Sequence, residues 1–97
     1  MKKVAINGFG RIGRILFRIL HKNADIEVSV INDLAKPEVL SHLLQYDSIH
    51  GRFLSKVDYA DDCIIVDDRK IPILNQSDIS SIDWNFFNID IVFECTG

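Results

Sequence analysis

Three glycines near the start of the chain have the spacing of a site that binds phosphate groups. A short apolar run, 4–6, precedes Gly8. An amphipathic run from Ile12 to Lys22 begins between Gly10 and Gly13. This order predicts a strand, a turn and a helix, the context in which a G-x-G-x-x-G pattern indicates a dinucleotide site. Gly8 would permit the turn, Gly10 the approach of the pyrophosphate, and Gly13 close contact between helix and strand. The N–H groups and positive dipole end of the helix would face the phosphates.

An acidic residue follows a second apolar run, twenty residues beyond Gly13. Asp33 comes directly after the alternating run 26–32, which predicts a second strand of the same sheet. A carboxylate in this position of a dinucleotide site accepts hydrogen bonds from the ribose hydroxyls. Glycines near a strand end often form a turn and nothing more. The preceding strand, the following helix and the acid on the second strand together favour dinucleotide binding.

The elements around these residues predict an α/β fold. Apolar runs indicate three long strands of one sheet, over 3–7, 26–32 and 89–94. Helical periodicity indicates one helix over 10–22 and a short second helix that begins at Pro37. Two further apolar runs predict a hairpin, with strands 63–66 and 71–74 around a turn at 67–70. The predicted fold class is the N-terminal part of a Rossmann-type doubly wound parallel sheet with a small inserted antiparallel hairpin.

The helical periodicity also predicts which side chains face the core. The predicted buried stripe of the first helix is Ile12, Leu16, Ile19 and Leu20, and that of the second is Val39, Leu40, Leu43 and Leu44. Arg18, His21 and Lys22 are predicted to lie on a solvated face, and Trp84 is predicted to anchor the core.

Composition excludes several classes of protein. The 97 residues are 47% hydrophobic and 26% charged, which is typical of a globular domain. The net charge of −3 and the spread of the acids predict no nucleic-acid partner. No apolar run is long enough for a membrane span or a signal peptide, so we expect a cytoplasmic protein without membrane contact. Cys63 and Cys95 lack metal-ligand spacing, so we expect free thiols and no bound metal.

Four motifs resemble the glyceraldehyde-3-phosphate dehydrogenase family, in the family's order and near its spacing. They are NGFGRIGR at 7–14, INDL at 31–34, YDSIHGRF at 46–53 and ECTG at 94–97. The resemblance covers the whole chain and about the first third of the family's length. It implies NAD as the cofactor.

The resemblance also implies roles for individual residues. Arg11 and Ile12 match the family's pyrophosphate-binding pair, and Thr96 with Gly97 matches backbone contacts to the nicotinamide half. Asn32, Asp33 and Leu34 match the adenosine side, and Ser77 lies where the family contacts adenine largely through backbone. The predicted cofactor-binding residues are therefore Asn7, Gly8, Gly10, Arg11, Ile12, Gly13, Asn32, Asp33, Leu34, Ser77, Thr96 and Gly97.

Two positions depart from the family pattern. Ser77 stands where arginine is common, so a cationic contribution is lost there. Cys95 stands where serine or alanine is common, and we expect a small buried apolar residue rather than a nucleophile.

The implied activity is oxidation of glyceraldehyde 3-phosphate, with inorganic phosphate, through a cysteine thioester. The family's nucleophile lies in a Ser-Cys-Thr-Thr-Asn-Cys motif, which this sequence lacks, so no catalytic residue is predicted here. We therefore expect 1–97 to be an NAD-binding domain that is incomplete at its C-terminal end, without the catalytic domain and inactive alone. The resemblance implies a homotetramer for the complete enzyme.

Two alternatives stay open. Erythrose-4-phosphate dehydrogenase has a very similar start and often carries the Cys-Thr-Gly found at 95–97, although that branch often has glutamate where Asp33 stands. A nucleotide-binding protein without catalytic activity is the other alternative.

Overall fold

The computed structural model describes residues 1–46 and 51–96. In these two ranges the strands are β1 (Lys2–Asn7), β2 (Ile26–Asn32), β3 (Val57–Tyr59), β4 (Cys63–Val66), β5 (Arg69–Leu74) and β6 (Ile91–Glu94). The helices are α1 (Arg11–His21) and α2 (Pro37–Gln45), and two short 3₁₀ helices span Ile79–Ser81 and Trp84–Phe87.

The strands form one sheet in the order β3-β4-β5-β2-β1-β6. β1 pairs in parallel with β2 on one side and with β6 on the other, and β2 pairs in parallel with the end of β5. The chain thus moves outward from β1 to β2 and β5 and then returns to the far side of β1. Doubly wound sheets bind ligands at such a reversal, beyond the carboxyl ends of the strands. The predicted Rossmann-type α/β fold is confirmed.

The predicted hairpin is also confirmed, with β4 and β5 antiparallel. Asp67 and Asp68 both have positive φ, 51° and 69°, which suits a two-residue hairpin turn because its twist matches that of the strands. The hairpin is not a separate insertion, however. Ile73 and Leu74 of its second strand continue as the parallel partner of β2, so β6 is the fourth parallel strand rather than the third.

The buried face of α1 differs from the prediction. Gly13, Phe17 and Leu20 are buried, whereas Ile12 and Ile19 are 66% and 60% exposed. Successive helical residues are about 100° apart, so Gly13 and Ile12 do not both face the sheet. Because Gly13 must pack closely on the turn after β1, Ile12 is rotated outward.

The same error affects α2. Its buried residues are Leu40, Ser41 and Leu44, while Val39 and Leu43 are 47% and 38% exposed. The periodicity therefore identified both helices and half of each buried stripe. Leu20, Leu40 and Leu44 are buried as predicted, and Leu16 packs against the core. The other predicted residues are exposed because apolar residues occupy more than one side of each helix.

Two residues of α1 that we predicted to be solvated contact other elements. Arg18 donates to the carbonyl oxygen of Leu44 at 2.6 Å, and its guanidinium lies 5.3 Å from the ring centroid of Phe53. The His21 ring lies edge-on to the ring of Phe53, with 5.6 Å between centroids, and also stacks on Phe17 within α1. The two side chains pack α1 against α2 and the segment that follows it, while Lys22 is exposed as predicted.

The core lies between the helices and the sheet. Phe17 packs edge-on against Phe9 and Phe53, with ring centroids 5.8 and 6.2 Å away. Cys63 is buried, in agreement with an inert packing role. Trp84 is only partly buried and lies outside the main core cluster, so its predicted role as a core anchor is wrong.

Candidate functional site

A cleft of about 380 Å³ opens at the carboxyl ends of the parallel strands. Eight of the predicted cofactor-binding residues line it: Asn7, Gly8, Gly10, Asn32, Asp33, Leu34, Ser77 and Thr96. Cys95, at the strand end that was expected to meet this crevice, also lines it. Gln76 and Ile79 line it too and were not predicted. Gln76 lies in the loop after β5 and Ile79 in the 3₁₀ helix that follows, and no local sequence pattern indicates that this segment borders the cleft.

The remaining predicted residues lie beside the cleft or outside the described ranges. Arg11 and Ile12 are exposed in the first turn of α1, next to Gly10. Gly13 is buried beneath them. Gly97 lies outside the described residues, as does 47–50 of the third family-like motif.

The three glycines of the loop differ in their surroundings. Gly8 has φ +93°, and a Cβ there would lie 2.8 Å from backbone atoms of Cys95 and Thr96. A Cβ on Gly13 would overlap the carbonyl oxygen of Gly8. Nothing lies within 4 Å of the position of a Cβ on Gly10. Gly8 and Gly13 are therefore required by the fold, whereas Gly10, which lines the cleft, has open space where a side chain would stand.

The N-terminus of α1 borders this space. Its N-cap is Gly10, which has no side chain to accept from the first N–H groups, and the first turn contains no acidic residue. The first-turn N–H groups carry the positive end of the helix dipole. An anionic ligand beside Gly10 would contact these N–H groups and would lie at the positive end of the dipole.

Asp33 holds the glycine loop to the end of β2. Its Oδ2 accepts from the N–H of Phe9 at 2.7 Å, and its Oδ1 accepts from the N–H of Ala35 at 2.9 Å. Each carboxylate oxygen has a second lone pair, so Asp33 can still accept from a ligand hydroxyl in the cleft that it lines.

Two buried amides connect the strand ends beneath the cleft. Asn7 and Asn32, the last residues of β1 and β2, are 5% and 4% exposed. Asn32 Nδ2 donates to Asn7 Oδ1 at 2.7 Å, and Asn7 Nδ2 donates to both carboxylate oxygens of Glu94 at 2.9 Å. Sequence analysis named both asparagines but not this network, whose only sequence signal is a polar residue at the end of each apolar strand.

The network continues at both ends. Asn32 Oδ1 accepts from the N–H of Gln76 at 3.0 Å, and Asn32 Nδ2 donates to the Gln76 carbonyl at 2.9 Å. Glu94 Oε1 accepts from the Thr96 hydroxyl at 2.7 Å. The hydroxyl of Thr96 and the amide of Asn7 lower the pKa of Glu94, which keeps it an ionised acceptor.

Cys95 borders the cleft as a neutral thiol. Burial, and then the charge of Glu94, raise the pKa of Cys95 above its ordinary value. The thiol packs against the core cluster, and the Cys95 N–H donates to the carbonyl of Asn7 at 2.7 Å. A neutral thiol is a poor nucleophile, so the geometry supports packing rather than chemistry at Cys95.

The cleft therefore offers binding groups: a helix N-terminus, a carboxylate, backbone polar groups and the apolar side chains of Leu34 and Ile79. Within 1–46 and 51–96, no cluster of three or more His, Cys, Asp or Glu could hold a metal ion. In the same ranges, no helix combines the length and apolar character needed to cross a membrane.

Comparison with known proteins gives one consistent family. Residues 2–97 match the family described as glyceraldehyde 3-phosphate dehydrogenase, NAD binding domain. The chain is 48% identical over 99 residues to a glyceraldehyde-3-phosphate dehydrogenase of Thermotoga maritima, covering 100% of this chain and 30% of the relative. It is 47% identical over 95 residues to one of Mycoplasma pneumoniae, covering 98% and 28%, respectively. An enzyme of the same name from Chlamydia muridarum is 46% identical over 96 residues, covering 98% and 29%.

Proposed function

Because the chain belongs to the glyceraldehyde-3-phosphate dehydrogenase family, as its NAD-binding domain, we propose that NAD occupies the cleft between the strand ends. We further propose that the complete protein oxidises glyceraldehyde 3-phosphate to an acyl phosphate with inorganic phosphate. The chain spans about 30% of the length of the first relative, so that activity also depends on residues outside it.

The observation that carries the NAD site is the free space at Gly10. A Cβ there would meet nothing within 4 Å, and the space borders an N-terminus without a side-chain cap. The pyrophosphate of NAD fits such a position because it requires close backbone approach and N–H donors. Arg11 and Ile12 would bind it with the N–H groups of the first helical turn.

The other predicted residues divide along the cleft. On one side, Asp33 would accept from the adenosine ribose, and Asn32, Leu34 and the backbone at Ser77 would surround adenine. On the other, Thr96 and Gly97 would contact the nicotinamide half. The loss of the family's common arginine at Ser77 fits a contact made through backbone.

Bound NAD supplies the hydride acceptor, and the residues of this chain bind and orient it. The cysteine nucleophile is proposed to lie outside this chain, in the part that completes the NAD-binding domain and adds the catalytic domain. We also propose a cytoplasmic homotetramer, on the basis of the family resemblance.

The test is NAD reduction by the complete purified protein, followed by NADH absorbance. We expect turnover with glyceraldehyde 3-phosphate that depends on inorganic phosphate, and none with residues 1–97 alone. Faster turnover with erythrose 4-phosphate would instead favour erythrose-4-phosphate dehydrogenase, the alternative that the Cys-Thr-Gly at 95–97 supports. NAD binding without turnover on either aldehyde would leave a nucleotide-binding protein and contradict the proposed activity.

A further inference from the structure

Glu94, Asn7 and Asn32 form a chain of side-chain hydrogen bonds that crosses beneath the cleft. The chain begins at the end of β6, passes the ends of β1 and β2, and reaches the backbone of Gln76 after β5. It therefore connects the two sides of the cleft.

The hydrogen bonds have a fixed direction, because a carboxylate only accepts and a primary amide has one donating and one accepting end. Both oxygens of Glu94 accept from Asn7 Nδ2, which turns Asn7 Oδ1 toward Asn32. Asn32 Nδ2 donates to that oxygen, so Asn32 Oδ1 is left to accept from the N–H of Gln76. The orientation of each amide thus depends on the acceptor at Glu94.

We propose that Glu94 is a positioning residue for the adenosine side of the cleft and acts on the backbone of Gln76 through Asn7 and Asn32. The inference rests on the proposed NAD site, since Gln76 directly precedes Ser77, whose backbone would contact adenine. A donor in place of the Glu94 carboxylate would turn the Asn7 amide and then the Asn32 amide. The Asn32 amide would then place its donor against the Gln76 N–H and its oxygen against the Gln76 carbonyl.

The test is Glu94→Lys in the complete protein, because a lysine only donates, whereas the amide oxygen of a glutamine could still accept from Asn7 Nδ2. The variant has two readouts. Hydrogen–deuterium exchange of a peptide containing Gln76 reports the far end of the chain, and calorimetry reports NAD affinity. We expect exchange of the Gln76 amide about tenfold faster and NAD affinity about tenfold weaker. The matched control is Asp61→Lys, which makes the same change of charge at an exposed aspartate outside the cleft. This control should change neither readout.

A double variant separates positioning from general stability. In Asn7→Asp with Glu94→Lys, the new ammonium can donate to the new carboxylate, whose other oxygen still accepts from Asn32. Exchange at Gln76 should return to within about threefold of wild type. Unchanged Gln76 exchange in Glu94→Lys, or no recovery in the double variant, overturns the inference. If wild type fails to bind NAD while the exchange changes as expected, the proposed function fails and the positioning role stands.

Discussion

Single residues decide which parts of the glycine loop serve the fold and which serve a ligand. A side chain on Gly8 or Gly13 would meet backbone atoms, whereas one on Gly10 would enter open space. The three positions look equivalent in the motif, but we propose that only at Gly10 is glycine required by the ligand rather than by the fold. Their substitution should therefore separate stability from binding.

Gly10→Val should lose NAD binding while the protein remains folded. The valine would fill the space proposed for the pyrophosphate, and the change at the N-cap should cost about 1 kcal/mol or less. Gly13→Ala is the matched comparison, because its methyl group would overlap the Gly8 carbonyl oxygen and should destabilise by about 1–3 kcal/mol. Calorimetric NAD titration and thermal unfolding measure the two effects. Normal NAD affinity in Gly10→Val would mean that the loop is only a turn.

Asp33 should select NAD over NADP. The 2′-phosphate of NADP would lie near this carboxylate, and no lysine or arginine is among the described residues that line the cleft. Repulsion of about 1–4 kcal/mol predicts a preference of about fivefold or more. Asp33→Asn should reduce the preference and also weaken NAD binding, because the Phe9 N–H or the Ala35 N–H loses its acceptor. Asp25→Asn, outside the cleft, is the control. Equal affinities of the wild-type protein for NAD and NADP would contradict the proposed preference for NAD.

At the scale of elements, the hairpin turn contacts α1 and the segment before β3. Asp67 Oδ2 lies 2.9 Å from Nε2 of His21, and its Oδ1 accepts from the N–H of Lys56. The hydrogen bond to His21, and then that to the Lys56 backbone, lower the pKa of Asp67. One turn residue therefore connects three parts of the fold at the amino end of the sheet.

Asp67→Asn should destabilise the fold modestly and in a pH-dependent way. A carboxyl whose pKa is lower in the folded state contributes stability above its unfolded-state pKa and loses it as the pH falls through the folded-state value. The difference from wild type should be about 0.2–1 kcal/mol at neutral pH, since the pair is exposed, and should vanish once the pH falls below the lowered pKa of Asp67. Asparagine tolerates the positive φ and can still accept from Lys56, so the turn is preserved. Thermal unfolding from neutral to acid pH measures this difference in stability, with Asp61→Asn as the control. A difference that grows toward acid pH would contradict the prediction.

Local sequence was sufficient for most elements and insufficient for their arrangement. The alternating run 26–32 matches β2, and the aspartates of the turn mark the hairpin, because both signals are local. The buried face of α1 was predicted correctly at Leu20 and wrongly at Ile12 and Ile19, because the packing of Gly13, not the apolar periodicity, sets the rotation of the helix. The position of Gln76 beside the cleft depends on the path of the loop after β5. The hydrogen bonds that connect Glu94 to Asn32 depend on the order of the strands. Local sequence patterns contain neither kind of information.

At the scale of the whole molecule, β6 forms an unpaired edge of the sheet within the described residues. β6 pairs with β1 on one side only, and nearby Ile91 and Phe86 are 44% and 76% exposed. An unpaired strand edge with exposed apolar side chains favours association with other chains.

Residues 1–97 expressed alone should therefore aggregate, or unfold with a lower melting temperature than the complete protein. They should also bind NAD more weakly than the complete protein does. Light scattering and thermal unfolding measure the first effect, with the complete protein as the comparison. A monomeric 97-residue chain with a cooperative transition and full NAD affinity would contradict this expectation.

The most direct test of the NAD site is the pattern of amide protection that NAD induces in the complete protein, measured by hydrogen–deuterium exchange. We expect slower exchange at Arg11 and Ile12 in the first turn of α1, at Ser77 and at Thr96. Exchange at the hairpin turn, Asp67 and Asp68, which lies at the opposite end of the sheet, should be unchanged. Tight NAD binding that leaves the first turn of α1 unprotected would contradict the proposed NAD site.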